Sequence, residues 1–275
     1  MSIREIQISI PRFCAILLGA LCLASAQAQV QPRVAGSIAF AEGIARIEAK
    51  GKSDRRPVRG ENVYERDSIT TSGQAELHLT MADGASLIVR ENSKITLTEY
   101  VADGGDKDRS LVDLARGALR SITGWIGQYN RANYKVRTPL VTIGVRGTDH
   151  EPTHLLEGDP RGAPGSYDKV NAGSAFMQTP QGVVDIPANR AVFQALSADG
   201  LPQLLATIPT FFKPGRFEQE FLQRADQLRN AIPKRRLDRL EFLRKQGAVP
   251  EAAQKALDQV KPLEKQGKEL LRWLR

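Results

Sequence analysis

From Val34 onward, six short stretches of alternating apolar and polar residues follow one another: Ser37 to Phe40, Ile44 to Ile47, Val63 to Ile69, Glu76 to Thr80, Ser86 to Val89 and Lys94 to Thr98. A period of two sends successive side chains to opposite faces, and runs of this length recurring every ~8 to 12 residues between turn residues predict an all-β body. Ala82-Asp83-Gly84-Ala85 reads as a hairpin turn, because Gly84 is free to take positive φ. Ala75 to Met81 is therefore expected to pair with Ala85 to Arg90. The charge-dense stretches Gly51 to Pro57 and Asp103 to Arg109 read as surface loops.

Tyr134 to His150, YKVRTPLVTIGVRGTDH, is expected to be the strand against which much of the body lies. Val136, Val141, Ile143 and Val145 fit a pleated, half-buried surface, and Pro139 is tolerated at a strand start or edge. Gly144 and Gly147 bracket Arg146, while Thr148 and Asp149 can bond nearby backbone, so a bend is predicted after Val145. From Glu151 to Asn171 the glycines and prolines at Gly158-Asp159-Pro160, Gly162 and Pro164-Gly165 predict a long surface loop. That loop and the bend are expected at one end of the body. Gly173 to Gln178, Gly182 to Ile186 and Arg190 to Gln194 then supply closing strands.

The pattern Thr138-Pro139 followed by Ile143-Gly144-Val145-Arg146-Gly147-Thr148 resembles the signature of the FecR domain, the periplasmic part of iron-uptake regulators. Gly60, Asp67 to Thr71, Ala82 to Leu87, Gly117-Ala118-Leu119 and the Val183 to Phe193 run fall where FecR-like chains keep similar residues, so the resemblance covers roughly Val34 to Phe193. It implies a rolled or solenoid-like β domain that recognises a partner outside the cytoplasmic membrane. Weak echoes, Val58-Arg59-Gly60 with Ala115-Arg116-Gly117 and Thr138-Pro139 with Thr179-Pro180, are compatible with successive coils. In FecR-like regulators a cytosolic segment engages a sigma factor. Here the residues before the predicted cleavage point are spent on export, so direct sigma-factor control is not expected.

Residues 1–28 read as a secretory signal peptide: Arg4 and Arg12 flank the apolar run Phe13 to Ala24, and Ala26-Gln27-Ala28 supplies small residues for cleavage. That run falls short of the roughly 18 to 20 residues of a spanning helix. Cleavage would remove Cys14 and Cys22, the only cysteines, and with them any thiol or disulfide chemistry. The expected location is the periplasm. The division of the chain is then 1–28 leader, 29–205 β domain and 206–275 helical segment.

The net charge of +8 is carried almost wholly by the C-terminal stretch, where 16 Lys/Arg face 9 Asp/Glu from Pro209 onward. A cationic tail on a neutral body suits an anionic lipid surface, a cell-wall polymer or an acidic protein face, or is simply a solvated helix surface. Nucleic acid is not expected, since no recognised binding motif is present. Phe217, Phe221, Leu228 and Ile232, then Leu237, Leu240 and Leu243, then Leu257, Val260, Leu270, Leu271 and Leu274 fall at helical spacing. Pro209, Pro214, Pro233 and Pro250 are expected to start or break these helices, and Gly247 to stop one.

Candidate chemistry is sparse. His150 and His154 have four-residue spacing, but positions four apart on a strand lie about 13 Å from each other, too far to share one metal ion. No G-x-S-x-G turn is present, and Ser174 after Gly173 lacks the second glycine of a nucleophile elbow. Asp103, Asp106 and Asp108 beside Lys107 and Arg109 read as a solvated charge run. No catalytic residue, cofactor or metal site is predicted. The candidate binding or fold-closing motif is Arg146, Gly147, Thr148, Asp149 and His150, in which Arg146 either grips a carboxylate or phosphate or closes the fold on loop carbonyls or Asp149. The expectation is a non-catalytic recognition module for an envelope protein or cell-wall polymer. The alternatives are a structural subunit docked through 209–275 to a membrane or assembly, and an unrecognised hydrolase.

Overall fold

The computed structural model describes residues 32–49, 51, 53–197, 199–223 and 225–247. The predicted leader, and the helical pattern from Leu257 to Leu274 with Pro250, lie outside them. Among the described residues sixteen strands form one continuous hydrogen-bonded sheet that folds into two layers. One layer runs β3 (Asn62–Tyr64), β1 (Val34–Glu42), β5 (Glu76–Met81), β6 (Ser86–Val89), β8 (Arg109–Ile122), β11 (Asp149–Leu155), β12 (Gly165–Ala172), β15 (Arg190–Ala195) and β16 (Gln203–Leu204). The other runs β2 (Ala45–Glu48), β4 (Ser68–Thr71), β7 (Lys94–Val101), β8, β9 (Tyr134–Arg137), β10 (Thr142–Val145), β13 (Ser174–Thr179) and β14 (Gly182–Pro187). Every pairing is antiparallel except β8 with β9, and the sheet does not close on itself.

Strand β8 belongs to both layers. Its first half pairs with β7 and β9, and its second half with β6 and β11. The change of layer falls at Gly117, whose φ of 87° only glycine adopts readily. Ser93 is pressed into the kink, its Oγ accepting the Ala118 N–H at 2.9 Å. Between the layers the alternating apolar residues meet in one core: Ile38, Leu77, Leu79, Leu87, Val89 and Leu119 from the first, Ile69, Ile95, Leu97, Leu114, Val136, Ile143 and Met177 from the second.

The hairpin at 82–85 forms as its sequence predicts, with Leu77 opposite Val89 and Leu79 opposite Leu87. Gly84 has φ 77°, and the buried Asp83 accepts the Ala85 N–H at 2.9 Å. Asp83 also takes the Tyr100 hydroxyl at 2.5 Å, while its carbonyl accepts the first N–H of α1 (Trp125–Tyr129) at 3.1 Å.

Several expectations need correction. Tyr134 to His150 is not one strand: Thr138 and Pro139 begin a turn between β9 and β10, and the chain then bends into β11. Val63 to Ile69 divides into β3 and β4 around Asp67, whose carboxylate accepts the Tyr64 N–H at 3.0 Å. The long loop expected from Glu151 to Asn171 shrinks to 156–164, because β11 and β12 occupy the rest. Those strands carry polar side chains on both faces, so the apolar alternation that reveals a strand is missing. The bend and the loop consequently sit at opposite ends of β11, roughly 20 Å apart at about 3.4 Å per residue. Asp108 is not solvated: it is buried, accepting N–H groups from Asp103 at 2.8 Å, Gly104 at 2.7 Å and the Trp125 indole at 2.7 Å.

Beyond β16 the chain lies on the outer face of the first layer. Phe211 and Phe212 pack there with Leu155, Tyr167 and Phe193, and Tyr167 stacks on Phe193 with ring centroids 4.2 Å apart. Two helices follow, α2 (Glu218–Leu222) and α3 (Ala225–Lys245). Pro233 lies inside α3 instead of breaking it. The local cost of a mid-helix proline is offset by tertiary contacts: Ile232 sits over Gly84, Leu240 over Gly104, and Arg236 donates to the Gly104 carbonyl at 2.9 Å. The apolar stripe of this helix is thus packed on the β body. α3 ends where Gly247, at φ 69°, donates to the Arg244 carbonyl at 3.0 Å.

Candidate functional site

The motif residues 146–148 form the corner where the chain passes from β10 in one layer to β11 in the other. Gly144 lets the Phe176 ring lie directly over β10, for a Cβ there would stand 2.2 Å from Cζ. Gly147 takes φ 68° and donates to the Gly127 carbonyl at 3.0 Å. Thr148 fixes the corner from both sides: its Oγ1 donates to the Ser174 carbonyl at 2.8 Å, and its N–H donates to Thr123 Oγ1 at 2.9 Å. The Thr123 N–H answers to the Thr148 carbonyl at 2.9 Å, and the Arg146 N–H to the Ser174 carbonyl at 2.8 Å. These polar groups lie at a corner with no continuous ladder, so side-chain hydroxyls complete what the sheet leaves unpaired.

The four side chains of the motif do not converge on one site. Arg146 does not reach Asp149; its guanidinium is 52% exposed and lies 3.6 Å from Asp185, itself 69% exposed. Asp149 is buried and receives Arg120 through two hydrogen bonds, at 2.9 and 2.7 Å, plus the Asn171 amide at 3.2 Å. Arg120, not Arg146, closes the fold here. His150 points to the opposite face of β11, into the core, where Nδ1 meets Asp168 at 3.1 Å and Nε2 meets the Tyr134 hydroxyl at 3.2 Å. Tyr134 in turn bonds Ser121 at 2.7 Å.

Ser121, Tyr134, His150 and Asp168 make a serine, tyrosine, histidine and acid chain that resembles a nucleophile relay in connectivity. All four are sealed from solvent, with exposures of 0, 2, 0 and 0%. Burial pushes the Asp168 carboxyl up, against the pull of His150, and pushes the Tyr134 hydroxyl up as well. A second chain runs from His154 Nδ1 to Ser166 at 3.0 Å and on to Thr138 at 2.7 Å, and Thr138 Oγ1 accepts the Val141 N–H at 3.1 Å. Burial lowers the His154 imidazole below its ordinary value, keeping it neutral. Each histidine thus has its own partner, and no group of three or more His, Cys, Asp or Glu among the described residues is arranged to hold a metal ion.

On the outer face of the same strand the structure assembles a charged network that sequence reasoning missed. Arg90 contacts Glu151 at 2.7 Å and donates to Glu218 at 2.6 and 3.1 Å; Arg120 lies 3.5 Å from Glu218; Lys169 donates to Glu151 at 3.0 Å. Burial alone would raise the Glu151 carboxyl, but Arg90, Asn171 and Lys169 bring it down to about 2. The one legible signal was the period of two in Asp149, Glu151 and Thr153, which a strand sends to one face. Nothing local announces Glu218, which comes from α2.

Comparison with known proteins gives a narrow result. The family model described as FecR protein matches residues 67–159, from the turn before β4 to the loop after β11. Two crystal structures of a candidate anti-sigma factor from Parabacteroides distasonis, at 1.65 and 2.50 Å resolution, are similar at 15% identity and a TM-score of 0.41. The match covers 52% of this chain and 60% of that one, so it spans less than two thirds of the solved protein. No curated protein matches.

Proposed function

We propose, from the premise that residues 67–159 are a FecR segment, that this protein is a non-catalytic recognition module of the cell envelope that serves in signalling. Its partner is an envelope protein or a cell-wall polymer, and it reaches the periplasm through the 1–28 leader. The rolled architecture of FecR-like domains belongs to the same reading, and the crossing of β8 between layers favours it. The observation that carries the proposal is the state of Arg146. The corner beneath it is held by five hydrogen bonds among backbone and hydroxyl groups, and among the described residues the guanidinium at its crest faces an exposed carboxylate 3.6 Å away. A planar five-donor group on a rigid mount loses little entropy on gripping a carboxylate or phosphate.

The ionisable groups that catalysis would draw on are spent otherwise: the His150 and His154 chains lie in the core and the Arg90 network binds the chain to itself. Capture of the mature chain's partners from envelope extract, with Arg146→Ala in parallel, tests the proposal. Enrichment by the wild type and loss by the variant is expected; equal capture by both would remove Arg146 from recognition, and no enrichment over bare beads would remove the module reading. For the second reading, a structural subunit docked by 209–275, the described part of that stretch offers the face of α3 turned away from the body, since Ile232 and Leu240 are buried against it. No helix among the described residues is long and apolar enough to cross a membrane.

A further inference from the structure

A cavity of about 680 Å³ opens on the outer face of the first layer, between strands β1, β5 and β6 and the helices α2 and α3. It shares no lining residue with the 146–148 corner. Its floor is polar: His78 and Thr80 from β5 and Ser86 from β6. Its walls are aromatic, with Phe217 centred 5.1 Å from Phe40, and the His78 ring 5.0 Å from Phe40 and 5.7 Å from Phe221. Arg59 and Arg216, both exposed, line it together with Ala39, Gln219, Gln223 and Leu228.

Two polar groups of the floor face the cavity. Ser86 is only 4% exposed, yet its hydroxyl has no hydrogen-bond partner among the described residues. A hydroxyl in a cavity wall with no partner in the chain can donate to, or accept from, a group that enters the cavity. Glu76 takes His78 Nε2 at 2.5 Å, which orients the imidazole and leaves Nδ1 without a partner among the described residues. The volume lies within the range of pockets that enclose a small molecule, and the lining joins aromatic walls to several polar groups.

We infer that this cavity binds a small amphiphilic anion: an apolar, flat or chain-like body between Phe40, Phe217 and Phe221, with a carboxylate, sulfonate or phosphate head held by Arg59 and Arg216. Ser86 and His78 hydrogen-bond the part of the ligand that reaches the floor. Half of the lining comes from α2 and its flanks, so occupancy also fastens that segment to the sheet. The inference is independent of the partner assigned to Arg146.

The probe is 8-anilinonaphthalene-1-sulfonate, with N-phenyl-1-naphthylamine as its uncharged counterpart, titrated by fluorescence into the mature chain. One sulfonate per chain is expected, bound at least about tenfold more tightly than the uncharged probe. The double substitution R59Q/R216Q, at exposed positions, should weaken the sulfonate about tenfold or more and leave the uncharged probe within about twofold. In parallel, the His78 ring protons should shift in the NMR spectrum on addition of the sulfonate to unmodified protein. Equal affinity for the two probes, sulfonate binding indifferent to the double substitution, an unmoved His78 signal, or no binding at all would each overturn the inference. Decanoate and 1-naphthoate as competitors then tell a chain-like body from a flat one, and displacement by either upholds the site.

Discussion

Arg90 and Glu218 stand 128 residues apart in the chain and meet through two hydrogen bonds, at 2.6 and 3.1 Å, with both side chains buried. Arg120 adds its charge from the other side of the same carboxylate at 3.5 Å. This contact fixes α2 on the sheet, and it defines what a charge change there must do. Replacing Glu218 by Gln leaves two guanidinium groups in a buried site with one anion fewer, a loss of about 3 kcal/mol. Chemical denaturation measures the loss. Hydrogen exchange of residues 211–223 should accelerate more than that of β5 or β6, since the carboxylate anchors the segment and not the ladder.

Glu151 sets a second expectation, in acid. Its carboxyl ordinarily titrates at 4.5 and is held at about 2 in the fold, so the unfolded chain binds the proton first as the pH falls. The associated stability is complete above about 4.5 and disappears as the pH drops toward 2. Asp83 and Asp168, which burial pushes up, act in the opposite sense over neighbouring pH values, so the total acid dependence is a sum of contributions. The difference between proteins isolates the one: Glu151→Gln should lose less stability than wild type between about pH 5 and pH 3 in paired denaturant titrations.

Gly117 and Gly51 share a left-handed backbone, with φ of 87° and 76°. A Cβ at Gly51 meets nothing within 4 Å, whereas one at Gly117 would stand 2.2 Å from Ser93 Oγ and 2.5 Å from its Cα. Gly51→Ala should therefore cost only the conformational penalty, about 1 kcal/mol. Gly117→Ala should cost about 3 kcal/mol, because Ser93 must move out of the kink it stabilises. Thermal unfolding of the two variants beside wild type decides this, and equal losses would contradict the packing at Ser93.

Arg146→Ala should leave stability within about 1 kcal/mol of wild type, since an ion pair at 3.6 Å between exposed groups contributes little. Arg120→Ala, which strips Asp149 of its partner in a buried site, should be several-fold more damaging. Melting curves of the pair separate a surface guanidinium from one that holds the fold.

Much of the body was legible because its strands alternate. The hairpin at Asp83-Gly84, the β13 to β15 series and the bend at Arg146-Gly147 follow from period two, glycine placement and turn chemistry. Strands β11 and β12 were not legible, because His150, His154, Ser166 and Asp168 face a core that tolerates them only as hydrogen-bonded chains. A polar strand buried on both faces has the composition of a loop. Pro233 misled in the opposite direction, since tertiary contacts at Ile232 and Leu240 outweigh a local breaker. Within the motif, residue types pointed correctly to a glycine-borne corner, but Asp149 answers to Arg120, 29 residues earlier in the chain, which nothing local signals.

The passage of β8 through both layers has a mechanical corollary. A domain made of two sheets joined only by loops has a seam along which one half can melt while the other persists. Here one fourteen-residue strand gives its first half to one layer and its second half to the other, so peeling either layer strips hydrogen bonds from the member that anchors its neighbour. Strain delivered at the Arg146 corner by a pulling partner would be shared across the whole body before any part of it gave way.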